Sequence, residues 1–348
     1  MPETLSGAEL RQMREARNLD QQAFADLLND ALDRKYDKAK ISRWETGAER
    51  VPQLVAQHLK ATGGNPTAIP SVKAGPALVM AVINQKGGVA KTVSVVNIAH
   101  LLAEAGKRVL VIDCDAQGSA TIHLGIYPAD RDAEKLTLNH VLFHRAAIDQ
   151  VIMSVCDGTI DLLPSSISLA RADSEINHRP NGALILRAKI QEVKERYDFI
   201  LLDCPPHLSQ ITVSALNASD LVLIPSQTET LSLMGIPLLL ETLADVQALV
   251  NPALRVLGIL PTLYDARRTQ DRERLTDLEE MGRQNGFRVF PPVSRSVIYP
   301  KGVNDGRPAL AIDPKAAGAE SYQAVADALV DLCDAQRSDL KAKESTHA

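Results

Sequence analysis

The sequence predicts an α/β fold, a doubly wound and mostly parallel twisted sheet with helices on both faces, preceded by a small all-α domain. Three observations predict it. Within residues 78–342, short apolar runs rich in branched residues alternate with stretches of helical spacing, as in a parallel sheet. Residues 1–60 show helical spacing only. Residues 61–77 hold three glycines and three prolines without apolar periodicity, which is typical of a linker, and residues 343–348 form a predicted polar tail.

Composition is that of a soluble globular protein and limits how the chain could bind DNA. Its 348 residues suffice for two domains, and 45% are hydrophobic and 23% charged. The formal net charge of −5 gives no general attraction to a polyanion, so DNA binding would need a local basic patch. The four cysteines form no C-x-x-C pair and are predicted to be reduced thiols in a cytoplasmic protein. The most apolar helix, 231–243, is predicted to be too short to span a bilayer, so no membrane attachment is expected.

Four short helices are predicted in the first 60 residues. Ser6 and Glu9 form a capping box for the first helix, and Asp20 can cap the second. Gly47 closes the third helix and Pro52 opens the fourth. Four short helices around one small apolar core indicate a helix-turn-helix domain.

The runs QQAFA at 21–25 and ISRWETG at 41–47 resemble the Cro/repressor-like helix-turn-helix family. The resemblance implies that the third helix enters the major groove of DNA, while Ile41 and Trp44 hold that helix on the core. The residues implied to face DNA are Lys38, Lys40, Ser42 and Arg43.

Two points about this domain stay open in the sequence. The segment 29–37 is longer than the turn of three or four residues usual in such domains. Either the second helix runs on through Leu32, or a loop reshapes the part that reads DNA. Basic and acidic residues balance over the domain, although 34–43 is locally basic. The alternative to a DNA reader is therefore a protein-interaction or dimerisation module with solvated charges.

The stretch NQKGGVAKT at 84–92 has the character of a phosphate-binding loop. It follows the apolar run 78–83, a predicted buried strand, and precedes a predicted helix that Gly106 closes. Glycines let backbone N–H groups turn toward an anion, and the positive end of the helix dipole points to the same place. Lys91 would reach the β- and γ-phosphates, and Thr92 would ligate Mg²⁺. The alternative is a glycine-rich turn with a solvated lysine pair.

A second lysine, Lys86, precedes the glycine pair, while two positions of the strict phosphate-loop pattern are not glycine. This variant resembles the deviant Walker A loop of the ParA/MinD family of P-loop ATPases. The resemblance implies that Lys86 reaches across a homodimer to the ATP of the partner subunit, and that Lys86 and Lys91 act in catalysis. The implied nucleotide-binding residues are Lys86, Gly87, Gly88, Val89, Ala90, Lys91, Thr92 and Val93.

Aspartates follow two further predicted strands. Asp113 and Asp115 come at the end of the run 109–112, and Asp203 ends a run that follows a helix predicted over 184–197. Carboxyl ends of parallel strands line the ligand crevice of such sheets. By the resemblance to ParA-like proteins, Asp115 is catalytic and orients the attacking water. Asp113 and Asp203 are implied to join Thr92 at the magnesium ion.

The resemblance continues to about residue 340, through QTE at 227–229, YDAR at 264–267 and DPK at 313–315. It implies that arginines of the late loops bind DNA without sequence preference in the ATP-bound dimer. The implied residues are Arg267, Arg268 and Arg295. For any one of them, a solvated charge at a helix end is an equal alternative.

Together these expectations describe an ATPase that uses ATP and Mg²⁺ to partition plasmid or chromosomal DNA. By the resemblance, an ATP-bound sandwich homodimer holds DNA, and a ParB-like centromere-binding protein stimulates a weak intrinsic hydrolysis that releases it. The helix-turn-helix domain would add site-specific binding and repression of its own operon. The protein is expected in the cytoplasm, on the nucleoid. The alternative is a transcriptional regulator or replication-control protein for which the nucleotide is an allosteric ligand.

Overall fold

The computed structural model describes residues 5–15, 19–32, 34–61 and 76–346. Residues 5–61 are called the N-terminal domain below, and residues 76–346 the α/β domain. Residues 62–75, which make up most of the predicted linker, lie outside the described part, as do the last two residues of the predicted tail.

The predicted four helices of the N-terminal domain are confirmed. Ser6 N donates to Glu9 Oε2 at 2.8 Å and Glu9 N donates to Ser6 Oγ at 3.2 Å, so the capping box is present. Asp20 Oδ1 accepts from Ala23 N at 2.8 Å at the start of the second helix. The helices are α1 (Gly7–Glu15), α2 (Gln21–Leu32), α3 (Lys38–Glu45) and α4 (Gln53–Ala61).

One small apolar core holds these helices together. It includes Leu10, Phe24, Ile41, Trp44 and Val55, one or more from each helix, and all five are buried. Each such buried side chain contributes about 1.5–3 kcal/mol relative to exposure. α2 does run on through Leu32, and the residues 34–37 then form a loop before α3.

The α/β domain is built on one eight-stranded sheet in the order β3-β4-β2-β5-β1-β6-β7-β8. All neighbouring strands pair in parallel except β3 and β4, which form an antiparallel hairpin at one edge. The strands are β1 (Leu78–Val82), β2 (Val109–Asp113), β3 (Met153–Val155), β4 (Ile160–Leu163), β5 (Phe199–Asp203), β6 (Leu221–Gln227), β7 (Arg255–Thr262) and β8 (Arg288–Val289).

Helices cover both faces of this sheet, as predicted. Successive β1 side chains alternate between two apolar clusters: Met80 and Val82 join one that includes α5 and α17, and Val79 and Ala81 join one that includes α12 and α13. The helices are α5 (Lys91–Glu104), α6 (Ser119–His123), α7 (Pro128–Ala133), α8 (Leu138–Phe143), α9 (Ile148–Val151), α10 (Ala172–Asn177), α11 (Ile185–Gln191), α12 (Gln210–Ala218), α13 (Thr230–Leu249), α14 (Thr269–Asn285), α15 (Ile298–Asp305), α16 (Ala309–Ile312) and α17 (Ala319–Thr346).

The structure contradicts the prediction that the most apolar helix is too short to span a bilayer. α13 has 20 residues and is long and apolar enough to cross a membrane by length and composition alone, a test that core helices of soluble proteins also pass. Pro237 does not end α13, because it lies on the exposed side, where solvent can bond the carbonyl that proline leaves free. The opposite side, with Leu233, Ile236 and Leu239, is buried against the sheet.

Two smaller differences concern element boundaries, and a third is a hairpin that the sequence analysis did not include. The helix predicted over 184–197 is shorter, because α11 is flanked by 3₁₀ turns at Gly182–Leu184 and Lys194–Arg196. The predicted tail begins inside α17, which continues to Thr346. The β3–β4 hairpin was not predicted from the sequence.

Candidate functional site

The loop at residues 84–90 joins β1 to α5 and is tied to neighbouring strands. Asn84 Nδ2 donates to Pro225 O at 2.7 Å, and Thr262 Oγ1 donates to Val89 O at 3.0 Å. Gln227 Nε2 donates to Gly88 O at 2.8 Å. The loop is therefore fixed by the carboxyl ends of β6 and β7.

Two residues of this loop adopt the left-handed backbone conformation. Gly88 has φ +72° and Ala90 has φ +64°. No atom lies within 4 Å of a Cβ built on Gly88, so backbone conformation rather than space favours glycine there. Ala90 holds the same conformation with a Cβ, at a cost of about 1 kcal/mol. Strain of this kind is typical of sites whose shape serves a ligand.

The loop leads directly into the N-terminus of α5, which begins at Lys91 as predicted. The first N–H groups of a helix lack intrahelical partners and carry the positive end of its dipole. A loop of this shape at a helix N-terminus binds phosphate groups in many proteins.

Lys91 is buried and lies against the loop itself. Its Nζ donates to Asn84 O at 3.2 Å and to Lys86 O at 3.3 Å, both neutral carbonyl oxygens. Burial lowers the pKa of Lys91, and the attraction of Asp203 opposes this. An incoming phosphate would supply the negative charge that these carbonyls do not.

The side chain of Lys86 is held by three residues at the junction of β6 and α13. Its Nζ donates to Gln227 Oε1 at 2.9 Å, to Glu229 Oε2 at 2.7 Å and to Ser232 Oγ at 3.0 Å. Sequence reasoning placed the segment of Gln227 and Glu229 in a family pattern but gave neither residue a role. Ser232 was missed, since nothing in its sequence context marks it.

Asp203 and Thr92 meet at the floor of the site. Thr92 Oγ1 donates to Asp203 Oδ2 at 2.7 Å, while the buried Asp203 Oδ1 has no hydrogen-bond partner among the described residues. Burial, and after it the charge of Asp113, raise the pKa of Asp203. A hydroxyl beside an unpartnered carboxylate oxygen suits Mg²⁺, which prefers oxygen ligands and would keep the carboxylate ionised.

In the part of the chain that the structure describes, no cluster of three or more His, Cys, Asp or Glu side chains could hold a metal alone. Mg²⁺ sites of this kind commonly take their remaining ligands from water and substrate phosphates.

Asp113 is placed to hold the loop after β2 rather than to offer a free oxygen. It is fully buried and is the register partner of Asp203 on the neighbouring strand. Its Oδ2 accepts from Thr121 N and Oγ1 at 2.8 and 2.7 Å, and its Oδ1 accepts from Asp115 N at 3.1 Å. Burial raises the pKa of Asp113 to about 6. These bonds favour a role in supporting Asp115, and the predicted part of Asp113 in the magnesium site stays a prediction.

Asp115 itself is half-buried at the carboxyl end of β2, the sheet edge that also carries the loop. Its Oδ1 accepts from Gln117 N at 2.9 Å. The structure therefore brings Lys91, Thr92, Asp113, Asp115 and Asp203 to one edge. Orientation of a water molecule by Asp115 stays a prediction, as does nucleotide contact by residues 86–93.

The predicted DNA-binding arginines of the late loops lie beyond the carboxyl end of β7. Arg267 is the most exposed, with 90% of its side chain accessible, and it makes a bidentate pair with Asp265 at 2.9 Å for both contacts. Arg268 is half-exposed, and Arg295 Nε donates to Leu263 O at 2.8 Å. The arginines thus share a sheet edge with the phosphate loop, and DNA contact by them stays a prediction.

In the N-terminal domain, the predicted DNA contacts divide into two groups. Lys38 and Arg43 are exposed on α3 and Ser42 is half-buried, so all three remain candidates. The prediction for Lys40 is wrong. Lys40 is 5% exposed, and its Nζ forms ion pairs with Glu49 and, at 3.2 Å, with Asp157 of the α/β domain.

Comparisons with known proteins agree with the two-part organisation. A family model described as an AAA domain matches residues 77–256, and a model described as a helix-turn-helix domain matches residues 7–67. The sporulation initiation inhibitor protein Soj of Bacillus subtilis is 36% identical over 244 residues, covering 70% of this chain and 94% of that protein. The chromosome partitioning protein ParA of Caulobacter vibrioides is 33% identical over 255 residues, covering 72% and 93%.

A solved structure has a similar sequence identity to this chain. It is described as a cobyrinic acid a,c-diamide synthase of Mycobacterium smegmatis with bound ADP and magnesium. It is 35% identical, with a TM-score of 0.63, and covers 73% of this chain and 94% of that one. Since one fold carries several chemistries, the choice among them rests on the site.

Proposed function

Because this chain belongs to the ParA family of ATPases, we propose that it partitions DNA by an ATP-controlled switch between a monomer and a DNA-binding dimer. ATP with Mg²⁺ occupies the loop at 84–90 and the floor formed by Thr92 and Asp203. The observation that carries the proposal is the position of Lys86.

Lys86 is available to a second copy of the chain. It is half-exposed and paired with the partly exposed Glu229, whereas Lys91 is buried against its own loop. An exposed ion pair is worth only about 0–1 kcal/mol, so a phosphate group presented by a partner can outcompete Glu229. Charge-assisted bonds to phosphate are the stronger kind.

An uncovered apolar row next to Lys86 supports the same dimer. Leu231, Met234 and Leu238 follow one another at helical spacing along α13, and their exposed fractions are 75%, 69% and 55%. The row begins two residues after Glu229, which holds Lys86. An exposed apolar row beside a charged group is typical of an interaction surface, and a second copy seated there would bring its own nucleotide near Lys86.

Hydrolysis rests on positioning. Asp115 orients a water molecule in line with the γ-phosphorus. The water oxygen forms the new P–O bond as the bond from the γ-phosphorus to the bridging oxygen breaks, the water proton passes to a phosphate oxygen, and ADP and inorganic phosphate leave. Mg²⁺, when bound through Thr92 and Asp203, neutralises charge on the phosphates. Lys91 and the N-terminus of α5 stabilise the charge that develops in transfer.

DNA binding has two proposed modes. The ATP-bound dimer contacts phosphates without sequence preference through Arg267, Arg268 and Arg295, which lie at the nucleotide edge. Lys38, Ser42 and Arg43 read an operator, which gives repression of the chain's own operon. A ParB-like protein stimulates hydrolysis and so releases the DNA, on the nucleoid in the cytoplasm.

The test is DNA binding by the wild type and by Lys86→Ala and Asp115→Ala, without nucleotide, with ADP and with ATP. Random duplex and the DNA upstream of the chain's own gene are compared across a salt series. Binding to random DNA should require ATP, weaken steeply with salt, persist in Asp115→Ala and vanish in Lys86→Ala.

A contrary result has a clear meaning. If only upstream DNA binds, equally well in all three proteins, the chain is a transcriptional regulator and the switch proposed here is wrong.

A further inference from the structure

The helix α3 presents two different sides. One side, called the reading face, is exposed or half-exposed and lies opposite the core residues Ile41 and Trp44. It consists of Lys38, Ala39, Ser42 and Arg43. Lys40 falls on the flank between the reading face and the core, because it is 100° further along the helix than Ala39. That flank contacts the α/β domain.

The flank contact is made by charged groups of both domains. Lys40 Nζ lies 3.2 Å from Asp157 Oδ1 in the turn of the β3–β4 hairpin, and Arg34 Nη1 donates to Asp161 Oδ2 on β4 at 2.8 Å. Arg34 and Asp161 are both almost completely buried. α4 packs against α5 beside them.

Asp161 indicates that the α/β domain is built to receive this cation. It stands within the buried strand β4, between apolar neighbours, and is 2% exposed. Its other donors are neutral: Tyr197 Oη at 2.8 Å and Ser154 Oγ at 2.6 Å. A buried carboxylate needs an opposite charge, and Arg34 of the N-terminal domain provides it.

The hairpin turn is shaped to the same contact. Cys156, Asp157 and Gly158 have successive left-handed φ values of +50°, +60° and +79°. The left-handed conformation is strained at the two non-glycine residues, Cys156 and Asp157, and persists only where surrounding contacts hold it. A Cβ built on Gly158 would lie 2.8 Å from Cε1 of Tyr36, so the Tyr36 ring fills the space over the glycine.

The residues that make the contact come from the longer connection between α2 and α3. Arg34 and Tyr36 both lie in residues 34–37, which a turn of three residues would not accommodate. Asn29 fixes this segment, since its Oδ1 accepts from Tyr36 N at 2.6 Å and its Nδ2 donates to Tyr36 O at 2.8 Å. The extra residues therefore leave the reading face intact and add a docking segment beside it.

We propose that residues 34–37 and Lys40 dock the N-terminal domain rigidly on the β3–β4 hairpin, so that the nucleotide-controlled dimer sets the spacing and orientation of two reading faces. This rests on the proposed function, in which α3 reads an operator. Arg34, Tyr36, Asp157 and Asp161 are positioning residues that act on DNA only through this fixed geometry. Operator DNA with two half-sites then binds tightly only when ATP brings two chains together, because the second contact becomes intramolecular.

The test uses Asp161→Asn and Gly158→Ala, two changes that leave the N-terminal domain unaltered. Asp331→Asn, at an exposed site on α17, is the charge control, and Arg43→Ala is the reading-face control. Docking is measured first, by the fluorescence anisotropy decay of Trp44, the single tryptophan. The wild type should tumble as one body, whereas Asp161→Asn and Gly158→Ala should gain a fast component.

Binding to a duplex of the DNA upstream of the chain's own gene is then measured with ADP and with ATP, in an excess of unlabelled random duplex that takes up the sequence-independent binding. In the wild type ATP should tighten binding by about 5–150-fold, the usual range of coupling between sites. In Asp161→Asn and Gly158→Ala the ratio of the upstream-DNA affinity with ATP to that with ADP should fall to about one. Both variants should keep the wild-type affinity for upstream DNA with ADP and the ATP-dependent binding to random duplex. Random-duplex binding shows that the α/β domain is folded. Arg43→Ala should lose upstream binding with ADP and with ATP, and its Trp44 anisotropy decay should show no fast component.

Four results would overturn the docking proposal. The first is a fast component in the anisotropy decay of the wild type, and the second is an ATP effect on upstream binding in both docking variants as large as in the wild type. The third is tighter upstream binding by those variants with either nucleotide, which would mean that docking inhibits binding. The fourth is a loss of the ATP effect in Asp331→Asn equal to that in the docking variants. Absence of upstream binding by the wild type with any nucleotide would overturn the operator part of the proposed function as well. If random duplex still binds with ATP, the partition switch itself survives.

Discussion

Lys91 in the phosphate loop and Lys40 on the docking flank are both buried lysines, with 8% and 5% of their surface exposed, yet their partners differ. Lys91 donates to two carbonyl oxygens, whereas Lys40 pairs with the carboxylates of Glu49 and Asp157. A buried cation without a full opposite charge attracts an anion, while one between two carboxylates is already neutralised. The charge of the partners, rather than burial, distinguishes the lysine proposed to bind phosphate from the structural one.

The largest expected effect is at Lys91. Lys91→Met should weaken ATP binding by about 100-fold or more, because hydrogen bonds to charged groups contribute about 1.5–3 kcal/mol each and two phosphates lose theirs. Without nucleotide the variant should melt at the same temperature as the wild type or higher, since a poorly neutralised charge is removed. Titration calorimetry and thermal unfolding measure the two effects. A large loss of stability without nucleotide would contradict the contrast with Lys40.

The docking ion pair should show the opposite pattern. Arg34→Met leaves Asp161 buried without a cation and should lower the free energy of unfolding by about 3–5 kcal/mol. Nucleotide affinity should change little. Urea unfolding measures the first effect, with Arg11→Met as the matched control, because Arg11 pairs with Glu15 in solvent. Equal losses of unfolding free energy in Arg34→Met and Arg11→Met would mean that the buried pair stabilises the protein no more than the exposed one.

A smaller effect is expected at the residue that restrains Lys86. Glu229→Gln removes the charge that holds Lys86 within its own chain, so the ATP-bound dimer should form about two- to fivefold more tightly. Glu241→Gln, exposed on the same helix α13, is the control. Dimer dissociation constants are measured by analytical ultracentrifugation. Weaker dimerisation of Glu229→Gln would contradict the proposed restraint of Lys86 by Glu229.

The smallest effect concerns pH. Burial lowers the pKa of His123 on α6, so the folded state favours neutral imidazole and the unfolded state binds more protons. His123 therefore costs stability as pH falls below 6.5, by at most about 1.4 kcal/mol for each unit of pKa shift. His123→Gln should lose less stability than the wild type between pH 7.5 and 5.5 in urea unfolding. Parallel curves for His123→Gln and the wild type would contradict this assignment.

The phosphate loop could be predicted because its parts are close in the sequence. Lys86, Lys91 and Thr92 lie within seven residues, and the strand and helix around them show clear spacing. Asp113 and Asp203 follow from a rule of topology, since carboxyl ends of parallel strands share one edge. The different roles of Asp113 and Asp203 could not be predicted from the sequence, because the hydrogen bonds of Asp113 to Thr121 and Asp115 depend on the fold of α6.

The docking flank could not be predicted because its residues are far apart in the sequence. The partner of Lys40 lies at residue 157, in a hairpin whose first strand has three residues and no recognisable period. Asp161 in the run 160–163 was the available signal, since a carboxylate in a buried strand needs a cation. Nothing local indicates that Arg34 is that cation. The exposed side of α13 likewise permits Pro237, which pattern reasoning takes as a break.

Sedimentation velocity shows whether ATP joins two chains through Lys86. Wild type, Asp115→Ala and Lys86→Ala are each run without nucleotide, with ADP and with ATP. We expect monomers without ATP, a stable dimer of Asp115→Ala with ATP, and monomers of Lys86→Ala in every condition. ATP-dependent dimers of Lys86→Ala equal to those of Asp115→Ala would contradict this expectation.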